Sequence, residues 1–178
     1  MENARVRIQK MMEICIVLVI VIDLEINVVV IYILKMKVQI VNKSKHNLPY
    51  YATEFSAGVD LKADTDEPVT IMPHQNYVFP TGLYMAIPEG YVGKIYARSG
   101  LACKHGLVPS NATGIVDADY RGHVKVSLTN TYDTPYTVEP GERIAQFILE
   151  KFEKIEWDEV KELPTTERGE GGFGSTGK

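Results

Sequence analysis

The chain has 178 residues, 45% of them hydrophobic and 24% charged, and a net charge of −4. That length suits one domain with a real core, and a slightly acidic balance without a basic stripe argues against a duplex nucleic-acid binder. Cys15 and Cys103 form no CxxC pair or disulfide framework, and no HExxH or Cys/His cluster suggests zinc, so a reduced, cytoplasmic protein is expected.

The first segment differs in texture from the rest. Residues 14–34 are dominated by Ile, Val and Leu and follow Arg5, Arg7 and Lys10, as in a signal peptide or membrane anchor. The uninterrupted apolar run, 14–22, is short of the roughly 20 residues a span needs. Asp23, Glu25 and Asn27 interrupt the centre, and a central Asp costs roughly 2.5–3.5 kcal/mol on insertion scales. Membrane insertion is therefore not expected, and the β-branched composition also suits a hairpin. A fresh, globular-looking pattern begins at Met36, so residues 1–35 are expected to be a non-core extension lying upstream of the true start.

From Val38 to Phe152 the chain is punctuated by Pro73, Pro80, Gly82, Pro88, Gly90, Pro109, Gly114, Gly122, Pro135, Pro140 and Gly141. Strands are predicted between these stops, most clearly at 77–79, 83–87, 91–96, 123–128 and 143–149. His123 to Leu128 alternates strictly, as a half-buried strand does. The one helix expected is short, Ser99 to His105. Closely spaced strands without a repeat period predict an all-β sandwich, jelly roll or barrel.

The last eleven residues, 168–178, hold five glycines, Arg168 and Phe173. Such a segment orders only at a large entropy cost, but it can wrap a ligand closely: bare amides and a guanidinium for phosphate, a phenyl ring for a base. That suits a nucleotide, whereas the same composition also suits a plain disordered end. Gly172 to Lys178 reads GxxxxGK, but the sequence given ends at Lys178, with no following Ser/Thr or helix, and no P-loop is inferred.

Five polar segments punctuate the β pattern: Ala57-Gly-Val-Asp-Leu61, Ala97-Arg-Ser-Gly-Leu-Ala102, Gly114-Ile-Val-Asp-Ala-Asp-Tyr-Arg-Gly122, Gly141-Glu-Arg-Ile-Ala-Gln146 and the tail from Arg168 to Gly177. In order, content and spacing they resemble the five motifs of the trimeric dUTP diphosphatases (dUTPases), over about Lys37 to the C-terminus. The resemblance implies hydrolysis of dUTP to dUMP and pyrophosphate, which limits uracil incorporation into DNA and supplies dUMP for dTMP synthesis. It also implies an all-β jelly-roll (β-clip) subunit at 36–163 in a threefold homotrimer. Each shared site would take its first, second and fourth motifs from one chain, the third from a neighbour, and the mobile tail, 164–178, from the last.

By that resemblance Asp117 is the general base for water attacking the α-phosphorus, with Asp119 structural. Tyr120 is the floor under the sugar, where a 2′-hydroxyl would clash. Asn111 and Gly114 belong to a hairpin expected to read uracil largely through main-chain groups. Arg98, Ser99 and Gly100 are expected to hold phosphate oxygens, with Ser99 on the leaving oxygen, Gln146 to bond an α-phosphate oxygen or the attacking water, and Asp60 to support them. Arg168, Gly174, Ser175 and Thr176 would grip the γ-phosphate and Phe173 cover the base. Magnesium is expected as Mg²⁺ held mainly by substrate phosphates and waters, with no direct protein ligand. His123 stands where an acidic or amide residue is usual in the family, and no chemistry is assigned to it. A dCTP deaminase of similar fold would place a glutamate for deamination and lack this motif, and a binding module without catalysis should lack Asp117 or the tail.

Overall fold

The computed structural model describes residues 21–23, 28–30, 36–172, 174 and 175. Strands β1 (Val21–Asp23) and β2 (Val28–Val30) pair antiparallel with each other. The rest of the expected extension, 1–35, lies outside the described residues. No helix among the described residues is long and apolar enough to cross a membrane.

Two four-stranded antiparallel sheets carry the fold, as the short, punctuated apolar runs predict. The first has the order β3 (Gln39–Asn42), β6 (Asn76–Ala86), β10 (Val124–Asn130), β8 (Leu107–Pro109). The second has the order β4 (Val59–Lys62), β12 (Arg143–Lys151), β7 (Tyr91–Ala97), β9 (Gly114–Val116). A small pair, β5 (Val69–Ile71) with β11 (Tyr136–Val138), completes the set. The inward residues of these strands, among them Leu61, Phe79, Val126, Leu128, Ile144 and Phe147, make one buried core. One short helix, α1 (Ser99–His105), follows β7. It spans the predicted residues and ends on Gly106, which takes the left-handed conformation and donates its amide to the Ala102 carbonyl.

Two expectations are corrected. Pro80 and Gly82 do not stop a strand; β6 runs through both as one eleven-residue element. The register across β6 and β10 explains how. Val124 faces Leu83 while Lys125 faces Pro80, so Thr81 and Gly82 bulge out of the ladder. Gly82 accepts this with φ of 70°, and a built Cβ there would lie 2.6 Å from the Ser44 backbone, so only glycine fits.

Nor is the third motif a hairpin with its own ladder. The strand pairing of β10 is with β6 and β8, extended by the Ser110 amide donating to Ser127, whereas β9 crosses to the other sheet and pairs with β7. Gly114 lets β9 lie flat, since a Cβ there would already stand 3.0 Å from Ile95 Cβ. Residues 111–123 thus make an excursion from one sheet to the other and back.

Candidate active site

The residues expected to hold phosphate converge at one end of the second sheet. In β4, β12 and β7, Asp60 faces Gln146, which faces Tyr96, and Arg98 follows two residues later on the same side. The Asp60 carboxylate joins them. It accepts from Arg98 Nε at 2.9 Å and, on its other oxygen, from Arg143 Nη1 at 3.1 Å. Arg98 Nη1 also donates to the Arg143 carbonyl at 3.0 Å. A half-buried carboxylate held between two guanidinium groups fixes both cations while leaving their outer N–H groups free for an anion. Ser99 and Gly100 open α1 beside this clamp, both exposed, where the first amides of a helix have no intrahelical acceptor. The Gln146 side chain is exposed on β12.

Arg143 lies in a motif that the sequence singles out, yet no role was expected for it. On a regular strand Arg143 and Gln146, three apart, would face opposite ways. The register shift between Arg143 and Ala145 buries two consecutive residues, Ile144 and Ala145, and returns both flanking side chains to the exposed face. Such a bulge leaves no mark in composition.

The remaining predicted residues cluster around the excursion. Asn111, Gly114, Ile115, Tyr120 and Lys125 line a cleft of about 300 Å³ between β9 and the approach to β10. Asn111 sits in the turn before β9, where its carbonyl accepts from Thr113 at 2.6 Å and Ala112 takes a φ of 60°. β9 spends one edge on β7 and has no strand partner on its cleft side among the described residues. Its main-chain donors and acceptors can therefore read a ligand edge as a strand reads its neighbour. Tyr120 closes the cleft. Its amide donates to Asp117 at 3.2 Å and its hydroxyl to the His123 carbonyl at 3.0 Å. The ring folds back over Gly122, where a Cβ would meet the Tyr120 hydroxyl at 2.4 Å. Asp117 and Asp119 are exposed at the far end, beside Glu89, Arg121 and Lys154.

These two groups do not meet within one chain. Val116 faces Gly93, which puts Asp117 level with Val92, six residues along β7 from Arg98. At the rise of a strand that is ~20 Å. The tail does not bridge the gap either. Among the described residues every hydrogen bond of 153–175 is internal to that segment, and Arg168 Nε donates to the Gly171 carbonyl at 2.7 Å. Gly174 and Ser175 form a further turn with Gly172, while Phe173 and Thr176 lie outside the described residues.

A protein-family model described as dUTPase matches residues 44–177. The chain belongs to the dUTPase family. It is 50% identical over 141 residues to the deoxyuridine 5'-triphosphate nucleotidohydrolase of Fusobacterium nucleatum, covering 79% of this chain and 97% of that one. The corresponding protein of Finegoldia magna is 48% identical over 140 residues, covering 79% and 98%. Among solved structures, the dUTPase of Staphylococcus bacteriophage 80alpha with dUPNHPP superposes with a TM-score of 0.72 at 31% identity, over 81% of this chain and all of that one. A mutant dUTPase of phage phi11, at 25% identity and a TM-score of 0.64, is described as coordinating a structural Mg(II) ion. The described residues, mostly β with one short helix, thus have the dUTPase fold, reached from the strands and from the comparisons alike.

Proposed function

We propose that this chain hydrolyses dUTP to dUMP and pyrophosphate in sites shared between copies of itself. The observation that carries this reading is the cleft walled by an unpaired strand edge and floored by Tyr120, on a chain of this family. Uracil would pair with the free edge of β9, helped by the Asn111 amide. Cytosine, with a donor and an acceptor exchanged, would leave buried groups unpaired, which can discriminate by about 10⁴–10⁵. Thymine adds one methyl, worth only ~10–200-fold in a yielding pocket, so its rejection relies on a wall held rigid by β7. The Tyr120 ring would pack under the deoxyribose, leaving no room for a 2′-hydroxyl.

Asp117 acts as general base. It takes a proton from water as the oxygen bonds to the α-phosphorus, and the bond from that phosphorus to the bridging oxygen breaks. The charge that grows on the departing pyrophosphate is met by the Ser99 hydroxyl and the first amides of α1, with Arg98 beside them. Gln146 holds an α-phosphate oxygen or the attacking water. Arg168, Gly174, Ser175 and Thr176 close on the γ-phosphate and Phe173 covers the base, sealing the site from bulk water.

The residues described here include no group of three or more His, Cys, Asp or Glu side chains able to hold a metal. A donor set without such a cage suits magnesium that arrives on the nucleotide, so the substrate is written as Mg·dUTP. When bound, the ion neutralises phosphate charge and fixes the triphosphate's shape.

Because Asp117 and Arg98 stand ~20 Å apart on one chain, the reaction needs a neighbour's excursion against each clamp. A threefold homotrimer of jelly-roll subunits, 36–163, with tails 164–178 crossing between them and residues 1–35 outside the core, satisfies this. A soluble nucleotide substrate fits a cytoplasmic enzyme. The test is pyrophosphate release from dUTP, dCTP, dTTP and UTP, with and without EDTA. Turnover of dUTP alone, abolished by EDTA, is expected; comparable turnover of dCTP or UTP overturns the reading of the cleft.

A further inference from the structure

The β6 bulge frees two amides from the ladder, and one side chain takes both. His123 Nε2 accepts from the Gly82 amide at 2.8 Å and from the Thr81 amide at 3.2 Å. A nitrogen that accepts carries no proton, so the imidazole is neutral with its hydrogen on Nδ1. The ring stacks on Tyr84, centroids 5.1 Å apart, and the Thr81 hydroxyl donates to the Val124 carbonyl at 2.6 Å, closing the bulge from its other side. The main chain of the same histidine accepts the Tyr120 hydroxyl. His123 therefore fastens the returning end of the excursion to β6 with its ring and the Tyr120 platform to itself with its carbonyl.

We infer that His123 is a positioning residue for Tyr120, working only as the Nδ1–H tautomer, so that protonating the ring releases the bulged amides and loosens the cleft floor. The inference rests on the placement of the sugar over Tyr120 proposed above. A second proton would set an N–H against two N–H donors, and both amides would lose their acceptor inside a part-buried bulge. The charged and titratable groups facing the ring favour the neutral state on balance. Burial pushes its pKa below the ordinary histidine range, the Lys125 charge adds to this and Lys43 does so more weakly, while Asp64 opposes. The Tyr84 ring stacks on the imidazole, and the Tyr120 hydroxyl meets the histidine's carbonyl.

Two measurements on the full-length protein test this. Nitrogen NMR of ¹⁵N-histidine protein at about pH 8 should show a proton-free His123 Nε2, titrating below the ordinary histidine range; an Nε2–H tautomer overturns the proposal. The second compares kcat/KM for Mg·dUTP in wild type and in His123→Gln, whose amide oxygen reaches the same donors without titrating. Substrate ionisations cancel in the ratio. Wild type relative to H123Q should fall several-fold between about pH 8 and about pH 5, and a flat ratio overturns the proposal. His123→Leu, which removes the acceptor, should be slower than H123Q throughout, and equal rates overturn it. The tautomer readout does not depend on where the nucleotide sits, so failure of the Asp117 reading at about pH 8 is distinguishable from failure of this one.

Discussion

Asp117 is exposed, and its carboxylate enters none of the ion pairs found among the described residues. A carboxylate without an ion-pair partner has its oxygens open to accept a hydrogen bond from water. Asp117→Asn is expected to lower kcat by about 10²–10⁴ with little change in nucleotide affinity, read by pyrophosphate release and by calorimetric titration with a non-hydrolysable analogue. Asp60 works through others. Asp60→Ala frees Arg98 and Arg143 to separate, and displacing a phosphate ligand by an ångström costs about 10²-fold in kcat/KM. Full activity in D60A would remove the clamp from the account. The resemblance to the family's motifs singled out Asp60, Arg98 and Gln146 in the sequence, and the structure brings them to one end of one sheet. Arg143 and His123 were not legible, because each acquires its role from a bulge, and a bulge is a register between two distant segments rather than a property of either.

The elements were legible where local chemistry decides them. Strict alternation at 123–128 and the seven-residue helix closed by Gly106 appear where they were expected. The three-residue strands β5, β8, β9 and β11 carry too few residues to show a period; β8 and β9 form on the open edges of the longer β10 and β7, and β5 and β11 form only with each other. Pro80 misled for a similar reason: on β6 it sits beside the bulge, where a missing donor costs the ladder little. Gly82→Ala should lose about 1–3 kcal/mol, since the positive φ and the Ser44 backbone both resist a Cβ; the urea midpoint measures it. The loop after β11 supplies a titration test. Burial, and then donation at 2.8 Å to the Glu142 carboxylate, push the Tyr136 phenol up to about 12, against the opposing charge of Arg98. Its folded pKa exceeds the ordinary 10.0, so this contribution to stability is whole below that value and drains away as pH climbs through about 12. Phenolate absorbance in wild type and Glu142→Gln should show a late-titrating tyrosine that moves earlier in the variant. The His123 contribution has the opposite sense. Its depressed pKa makes stability complete above the ordinary 6.5 and weaker as pH falls through the folded value.

At the scale of the molecule, the tail and the separation of the two half-sites decide what can be tested. Residues 153–172, 174 and 175 are almost wholly exposed, with Ile155, Trp157 and Leu163 each more than 70% accessible. Large apolar side chains along an extended segment suit docking on another copy. Removing 168–178 should leave the denaturation midpoint and the oligomeric state read by sedimentation unchanged and abolish most turnover; near-normal turnover would take the tail out of the reaction. The glycine content of that tail suggests a ligand-wrapping segment, but the surface it would close on cannot be read from the sequence, because quaternary neighbours leave no local periodicity. The all-β class follows from the strands alone, and the proposed assembly rests on the family resemblance and on a distance along β7.

That distance has a genetic consequence. If each catalytic centre borrows its base from one subunit and its arginine clamp from the next, a chain lacking Asp117 and a chain lacking Arg98 are broken in different halves. Co-refolded together, the two inactive proteins should complement one another, because some mixed assemblies reunite an intact excursion with an intact clamp. Expressed beside the normal protein, either one should poison more centres than its own share.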